Sequence, residues 1–387
     1  MAESPKHPAA ERIRVLHFVT GGFSGGATQV ALALVNAERA GEQIQPLLVL
    51  RRKMRGDPAR ITELEQSGVP IRTVTGWTHA ATIWSLVRIC KEFQPHVLVA
   101  HGFSEHLWGR YAGLLAKVPS LVHVEHNSRE RYTRWRLAQA RWLAQRTAAI
   151  VGVSEGVRTS LLEMGFPADR TMAIPNGVRL EPFAGADAYP FDQRIPGIVM
   201  VSRFGRQKDH ATLLRAIALL RERNLRPPVL FAGGGKSSHR RSAEKLCREL
   251  KLDDQVQFLG VCRNVPELLL KHQIAVLSTH YEGMPLALVE GMAAGCAVVG
   301  SDVIGVRELI EDRVNGRLAA AKNPQALADV FESLLRAPEQ AAALGRAART
   351  AALERHSREL MDQRYEDLFV RLANARTPRP ASRDEPL

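Results

Sequence analysis

No stretch of this sequence is apolar for the roughly 18–20 residues needed to span a bilayer, and the opening MAESPKHPAAER lacks the apolar core of a signal peptide. The expectation is a chain that stays in the cytosol. Cysteine is scarce: Cys90, Cys247, Cys262 and Cys296 lie far apart with no C-x-x-C spacing. That excludes a zinc-ribbon pattern and a disulfide framework, and buried reduced thiols are the plain reading. Acidic residues are in deficit, 40 against 53 basic ones, leaving a net charge of +13. Such an excess favours an anionic partner: nucleic acid, a membrane surface or a phosphorylated small molecule.

Two familiar nucleotide fingerprints are also missing. GGFSGGAT nearly fits a P-loop, but Ala27 stands where the lysine is needed. The G-x-G-x-x-G dinucleotide pattern is absent, and the second strand ends in LRRK, without the acid that holds an NAD ribose. A basic strand end suits NADP only when the fingerprint accompanies it. The loop is then either an anion-binding turn, where small residues let N–H groups approach a ligand, or a Gly-rich turn with no ligand.

What the sequence does have is alternation. At 387 residues the chain is too long for one ordinary core and suits two domains. IRVLHFVT, QPLLVL, HVLVAH, LVHVEH and AAIVGVS read as strands with helical patterns between them. MAIPNGVRLEPF breaks the pattern, and alternation restarts at GIVMVSRF, PVLFAGGG, VQFLG, IAVLST and CAVVGS. Two βαβ arrays predict an α/β protein of two doubly wound domains, with a ligand crevice at the strand carboxyl ends. The expected organisation is a flexible N-terminus over 1–11, an N-terminal domain over 12–190 and a C-terminal domain over 191–355. A helix over 356–374 and a disordered tail over 375–387 complete it. Met361, Tyr365, Leu368 and Leu372 share one face of that last helix, so it packs on something.

YEGMPLALVEGMAAG carries the most chemistry. Pro285 suits a first helical residue and Gly295 a position just past the end, so a helix is predicted from about Pro285 to Ala294. Its head would present N–H groups from around Gly283, Met284 and Leu286 to a phosphate. Glu290 sits amid Leu, Ala, Val and Met, where a carboxylate is costly to bury without a hydrogen bond. A ribose with adjacent hydroxyls, or an internal salt bridge, would satisfy it. In VSRFGRQKDH, Arg203 and Lys208 flank a turn between strand and helix. They are either solvated surface charge or a cationic pair for a diphosphate leaving group.

Taken together, these segments resemble the retaining GT-B glycosyltransferases of family 4. EGMPLALVE, Glu282 to Glu290, is similar to the E-x7-E motif, and GGFSGGATQVALALV to the first loop and helix. VGVSEGVRTSLLEMGFPADRTMAIPNGV resembles the inter-domain signature, SRFGRQKDHATLLRA the donor-phosphate segment and GVRELIEDRVNGRL a later nucleotide-side turn. FAGGGKSSHR departs from the pattern at Gly235 and Lys236, where relatives often carry an acid or Pro.

The resemblance implies two Rossmann-like domains facing each other across a cleft, with the last helix crossing back to the first. It implies that Arg203 and Lys208 bind the donor diphosphate, that Glu290 holds the ribose and that Glu282 lies near the donor sugar. The backbone of Gly283, Met284, Pro285 and Leu286 would contact sugar and phosphate, Gly25 and Gly26 would face the diphosphate from the other domain, and His126 would lie over the reacting sugar. The implied reaction is sugar transfer from a nucleotide sugar, UDP-linked first and GDP-linked second, to a glycan or lipid-linked acceptor of surface polysaccharide or lipopolysaccharide. Configuration would be retained by same-face attack, the leaving phosphate taking the acceptor's proton. No cofactor, D-x-D cluster or metal is required. A sugar-nucleotide epimerase would need additional acids, and a phosphorylase a lysine-bound pyridoxal phosphate; neither announces itself. A non-catalytic nucleotide-sugar-binding module is the other rival, against which the intact Arg203, Lys208 and Glu290 argue.

One segment falls outside these motifs. RERYTRWRLAQARWLAQR, Arg129 to Arg146, is rich in arginine, and at helical spacing Arg134 and Arg141 share a face with Trp135 and Trp142 one position round. It reads either as a membrane-interface stripe, placing the enzyme peripherally on an anionic cytosolic surface, or as a solvated helix whose tryptophans pack inward. Nucleic acid is not expected, because no nucleic-acid-binding motif accompanies the charge.

Overall fold

The computed structural model describes residues 12–20, 25–52, 58–128 and 132–375. The expected flexible start over 1–11 lies outside them, as do the Gly21–Ser24 part of the first loop, Arg129–Arg131 of the basic segment and the tail from 376.

The first array runs β1 (Ile13–Thr20), α1 (Gly26–Ala40), β2 (Ile44–Arg51), α2 (Pro58–Gln66), β3 (Ile71–Val74), α3 (His79–Phe93), β4 (Val97–His101), α4 (Phe103–Leu115), β5 (Ser120–Glu125), α5 (Arg134–Ala144), β6 (Ala149–Gly152), α6 (Glu155–Glu163) and β7 (Thr171–Ala173). The second runs β8 (Ile195–Val201), α7 (His210–Glu222), β9 (Val229–Ala232), α8 (Ser237–Glu249), β10 (Val256–Gly260), α9 (Val265–Leu270), β11 (His272–Leu277), α10 (Leu286–Ala293), β12 (Ala297–Ser301), α11 (Ile304–Arg307) and β13 (Arg317–Ala319). Helices α12 (Pro324–Arg336), α13 (Pro338–Arg355) and α14 (Arg358–Asn374) follow.

These strands form a seven-stranded sheet of order β3-β2-β1-β4-β5-β6-β7 and a six-stranded sheet of order β10-β9-β8-β11-β12-β13. Both are doubly wound α/β sheets of Rossmann type. By contacts the chain divides into two compact units, one gathering Met1–Val124, Arg134–Ile150 and Asp362–Leu387, the other Glu125–Thr133 and Val151–Met361.

Helices cover both faces of the first sheet, which is why its central strand is mostly apolar rather than alternating. On one face Leu16, Phe18 and Val49 pack with Leu86 and Val87 of α3 and Ala112 of α4; on the other Val19 and Leu48 pack with Ala31 and Val35 of α1. His17 is the polar exception inside β1, and it is fully paired. Its Nε2 lies 3.0 Å from both Glu38 carboxylate oxygens and its Nδ1 3.1 Å from His101 Nε2. The Phe369 ring of α14 meets His17 edge-on at 5.8 Å.

Three short strands, β3, β7 and β13, were not evident from the sequence. Each has only three or four residues, too few for a hydrophobic period to register. In α14, Met361, Tyr365 and Leu368 are buried as the periodicity predicts, and Leu372 is half-buried. Cys90, Cys247 and Cys296 are buried free thiols and Cys262 is half-buried. Among the described residues no helix is long and apolar enough to cross a membrane.

Candidate active site

The site is built on loops leaving the carboxyl ends of β8 and β11, neighbours at the centre of the second sheet. In such sheets these loops form the ligand-binding edge. The β8 loop is anchored by Phe204, buried and stacked on His210 with ring centroids 4.3 Å apart, and by Asp209, whose carboxylate caps α7 through Thr212. Backbone bonds then tie it to the β11 loop: Asp209 N–H donates to Ser278 O at 3.0 Å and His280 N–H to Gln207 O at 2.9 Å.

This stitching sets Lys208 opposite Glu282. The ammonium donates to Glu282 Oε1, and Thr279 Oγ1 donates to the same oxygen at 2.8 Å. Both partners are nearly covered, so the ion pair is well shielded from solvent. Arg203, on the same β8 loop, is exposed and makes no ion pair among the described residues. Lys208 therefore answers to Glu282 here, a relation the sequence did not suggest.

Glu282 and Gly283 are held from a second side by residues just after β5. Ser128 Oγ donates to Glu282 O, and the backbone at Gly283 runs so close to His126 that a Cβ there would lie 2.1 Å from His126 O. Gly305 of α11 makes an equally tight approach, its notional Cβ 2.2 Å from Gly283 O. His126 is half-buried, and loss of hydration pulls its imidazole down to about 3, so the ring is uncharged at neutral pH. Met284 follows, its sulfur accepting the Asn176 N–H at 3.1 Å, and the buried Asn176 Oδ1 has no hydrogen-bond partner among the described residues.

Helix α10 begins one residue later than predicted. Pro285 is its cap, with extended backbone, and Leu286 is the first helical residue. Leu288 and Val289 turn their N–H groups back onto Pro285 O, leaving Leu286 and Ala287 at the open head of the helix. The far end is tightly closed. Gly295, at φ +73°, forms the left-handed turn anticipated there, with Cys296 N–H donating to Gly291 O at 3.0 Å. Arg194 donates to Ala294 O at 2.9 Å and Arg349 to Ala293 O at 2.5 Å, placing two cations on the negative end of the helix.

Glu290 lies in the second turn of α10, half-buried, and its carboxylate makes no hydrogen bond among the described residues. Burial raises its carboxyl to about 7, opposed only by the charge of Arg179. The internal salt bridge considered as its partner is not formed among the described residues.

The structure thus brings Lys208, Glu282, Gly283, Met284 and His126 together at the head of α10, with Glu290 one turn further in. Gly25 caps α1 and Gly26 opens it, both in the other contact unit. Sequence reasoning overlooked Thr279, Ser128, Asn176 and Gly305. It also overlooked Glu308, whose carboxylate accepts the N–H groups of Glu155 and Gly156 at the head of α6. Polar residues just past strand ends, as in STHYEG, were the available signal for Thr279.

Two doubly wound α/β sheets, with a cation–acid pair where one sheet's central strands end, define a GT-B glycosyltransferase architecture. The family model described as Glycosyltransferase Family 4 matches residues 24–182, and that described as Glycosyl transferases group 1 matches 187–351. The chain belongs to this family. It is 29% identical to EpsD of Bacillus subtilis (strain 168) over 225 residues, 55% of this chain and 58% of that one. It is 26% identical over 250 residues to the Escherichia coli UDP-Gal:alpha-D-GlcNAc-diphosphoundecaprenol alpha-1,3-galactosyltransferase, covering 60% of this chain and 65% of the relative. Each match therefore spans less than two thirds of the relative's length. In fold the chain resembles Anabaena HepE in complex with UDP and glucose, with a TM-score of 0.79, 20% identity, and coverage of 93% of this chain and 100% of that one.

Proposed function

We propose that this chain is a retaining glycosyltransferase that moves a sugar from a nucleotide-sugar donor, UDP-linked first and GDP-linked second, to a glycan or lipid-linked acceptor. The pathway is surface polysaccharide or lipopolysaccharide assembly on the cytosolic side of a membrane. The observation that carries the reading is Glu290: a half-buried acid without a hydrogen-bond partner among the described residues, one turn inside a helix whose head holds Lys208 and Glu282. A ribose offers that acid two adjacent hydroxyl donors.

When the nucleoside diphosphate departs, charge builds on its terminal phosphate. Arg203, Lys208 and the head of α10 supply compensating positive potential without metal or cofactor. In the absence of donor, Glu282 keeps Lys208 in place; with donor bound, the ammonium turns from carboxylate to phosphate, and Glu282 accepts hydroxyls of the sugar. The neutral His126 orients the sugar by a hydrogen bond, and the departing phosphate oxygen takes the acceptor's proton, so no protein nucleophile is required. The E. coli relative, named for a UDP-Gal donor and a diphosphoundecaprenol-linked acceptor, supports this choice of donor and acceptor classes.

The test is a panel of UDP- and GDP-sugars offered to the purified protein with a membrane extract, following donor consumption and glycolipid product. A protein that binds no nucleotide sugar would end the reading.

A further inference from the structure

Of the five tryptophans, four stand in solvent: Trp77 is 89% exposed, Trp84 72%, Trp135 74% and Trp142 47%. Of the two α5 tryptophans, Trp135 does not pack inward, whereas Trp142 rests partly on Tyr111 of α4. Indoles are large and apolar with one polar tip, so leaving three of them in solvent and a fourth half-covered forgoes much burial.

Trp84, Trp135 and Trp142 belong to one helical layer, and Trp77 stands just before its first helix. The steps β3 to β4, β4 to β5 and β5 to β6 run the same way across the sheet, so right-handed crossovers put α3, α4 and α5 side by side on one face. Trp77 precedes α3, and Trp84, Arg88 and Lys91 are exposed along it. On α5, Arg134, Trp135, Ala138, Arg141 and Trp142 face outward, whereas Ala140, Leu143 and Ala144 are buried.

Between these rows runs a ladder of rings that joins the three helices. His79 stacks on Trp108 at 4.1 Å, Trp108 lies 6.4 Å from Tyr111, and Tyr111 lies 6.2 Å from Trp142. The Arg146 guanidinium covers Trp142 at 3.8 Å, and the Tyr111 hydroxyl donates to Gln139. The charge is one-sided as well. Residues 132–148 contain no Asp or Glu and Glu105 of α4 is buried beside Arg51, whereas α3 carries one exposed acid, Glu92, paired with Arg72 and Arg88.

We infer that the outer face of α3, α4 and α5 docks on an anionic lipid bilayer, with Trp77, Trp84, Trp135 and Trp142 at headgroup level and the arginines on lipid phosphates. Indoles with their N–H tips suit the boundary between water and acyl chains, and the acid-free cationic surface of α5 suits anionic headgroups. The inference rests on surface chemistry alone and stands apart from the proposed transfer reaction.

The full chain is to be mixed with phosphatidylcholine vesicles with and without phosphatidylglycerol, some carrying brominated acyl chains. Co-sedimentation and quenching of tryptophan fluorescence are the readouts. Binding is expected only with phosphatidylglycerol, quenched by the brominated lipid and weakened by salt. Arg134→Gln and Arg141→Gln should each weaken it by about fivefold. Trp77→Ser with Trp135→Ser should remove about half of the quenching and weaken binding, and because these side chains are exposed, circular dichroism and the melting temperature should not change. Donor hydrolysis by these variants is expected to match the parent, which separates a failed surface from a failed enzyme. Equal binding to phosphatidylcholine alone, unchanged binding by the variants, a fluorescence shift that follows protein concentration without lipid, or tighter binding to a DNA duplex would each overturn the inference.

Discussion

Gly283 and His126 meet backbone to backbone: no side chain fits at Gly283, because its first carbon would overlap the His126 carbonyl oxygen. The contact fixes the loop after β5 against the head of α10 at a spacing set by glycine's missing Cβ. Gly283→Ala should therefore push the two loops apart and cost about 1–3 kcal/mol of stability. Donor turnover should fall by a larger factor than the melting temperature suggests, since His126 moves with its loop. A melt and a donor-hydrolysis assay on the same preparation check both; wild-type turnover would remove the contact from the mechanism.

The Lys208–Glu282 pair makes a single substitution misleading. Lys208→Ala leaves a shielded carboxylate without its counter-ion, which typically costs about 3–5 kcal/mol. Adding Glu282→Gln removes the orphaned charge and should restore much of that stability while leaving turnover low. Denaturant unfolding of both variants beside kinetics separates fold from function. Recovery of turnover in the double variant would show that Lys208 acts only through Glu282.

Glu290 makes nucleotide binding and stability respond to pH in opposite directions. Its folded pKa of about 7 lies above the ordinary 4.5, so the folded state holds this proton more tightly than the unfolded chain. The contribution is full below pH 4.5, declines as pH rises toward 7 and is gone above it. Glu290→Gln should therefore stabilise the protein on the order of 3 kcal/mol above pH 7 and hardly at all near pH 4.5. A ribose needs the carboxylate form, so UDP affinity should climb as pH approaches 7, with a proton released on binding. Calorimetry in buffers of different ionisation enthalpy measures that proton.

Arg349 holds the closed end of α10 by donating to Ala293 O and Phe183 O. Arg349→Met should cost about 1.5–3 kcal/mol. It should also raise KM for the donor more than it lowers kcat, because the whole helix shifts beneath the nucleotide. Unfolding curves and steady-state kinetics test the two parts.

Much of this arrangement is legible in the residues themselves. IRVLHFVT is β1 to the residue, since a strand covered on both faces is apolar at most positions, His17 being the paired exception. Gly295 marks the end of α10 because only a left-handed residue closes that turn. Pro285 was misplaced by one position: proline fits both a first helical residue and the extended cap it occupies, and local propensity does not separate them. Lys208 with Glu282, and Gly283 with His126, could not be read at all. Their partners lie far apart in sequence, and no local period announces a contact that only the completed fold creates.

The chain's path has a practical outcome for anyone dissecting the molecule. The unit that begins at the N-terminus includes residues from Asp362 onward, and the Phe369 ring lies against His17 at its centre. The other unit includes Glu125–Thr133. A gene cut at the inter-sheet segment would therefore yield two fragments, each lacking a stretch encoded by the other. Neither fragment expressed alone should behave as a stable half-protein. Reassembly from co-expressed pieces should succeed only when the first fragment is supplied with the helix from Asp362.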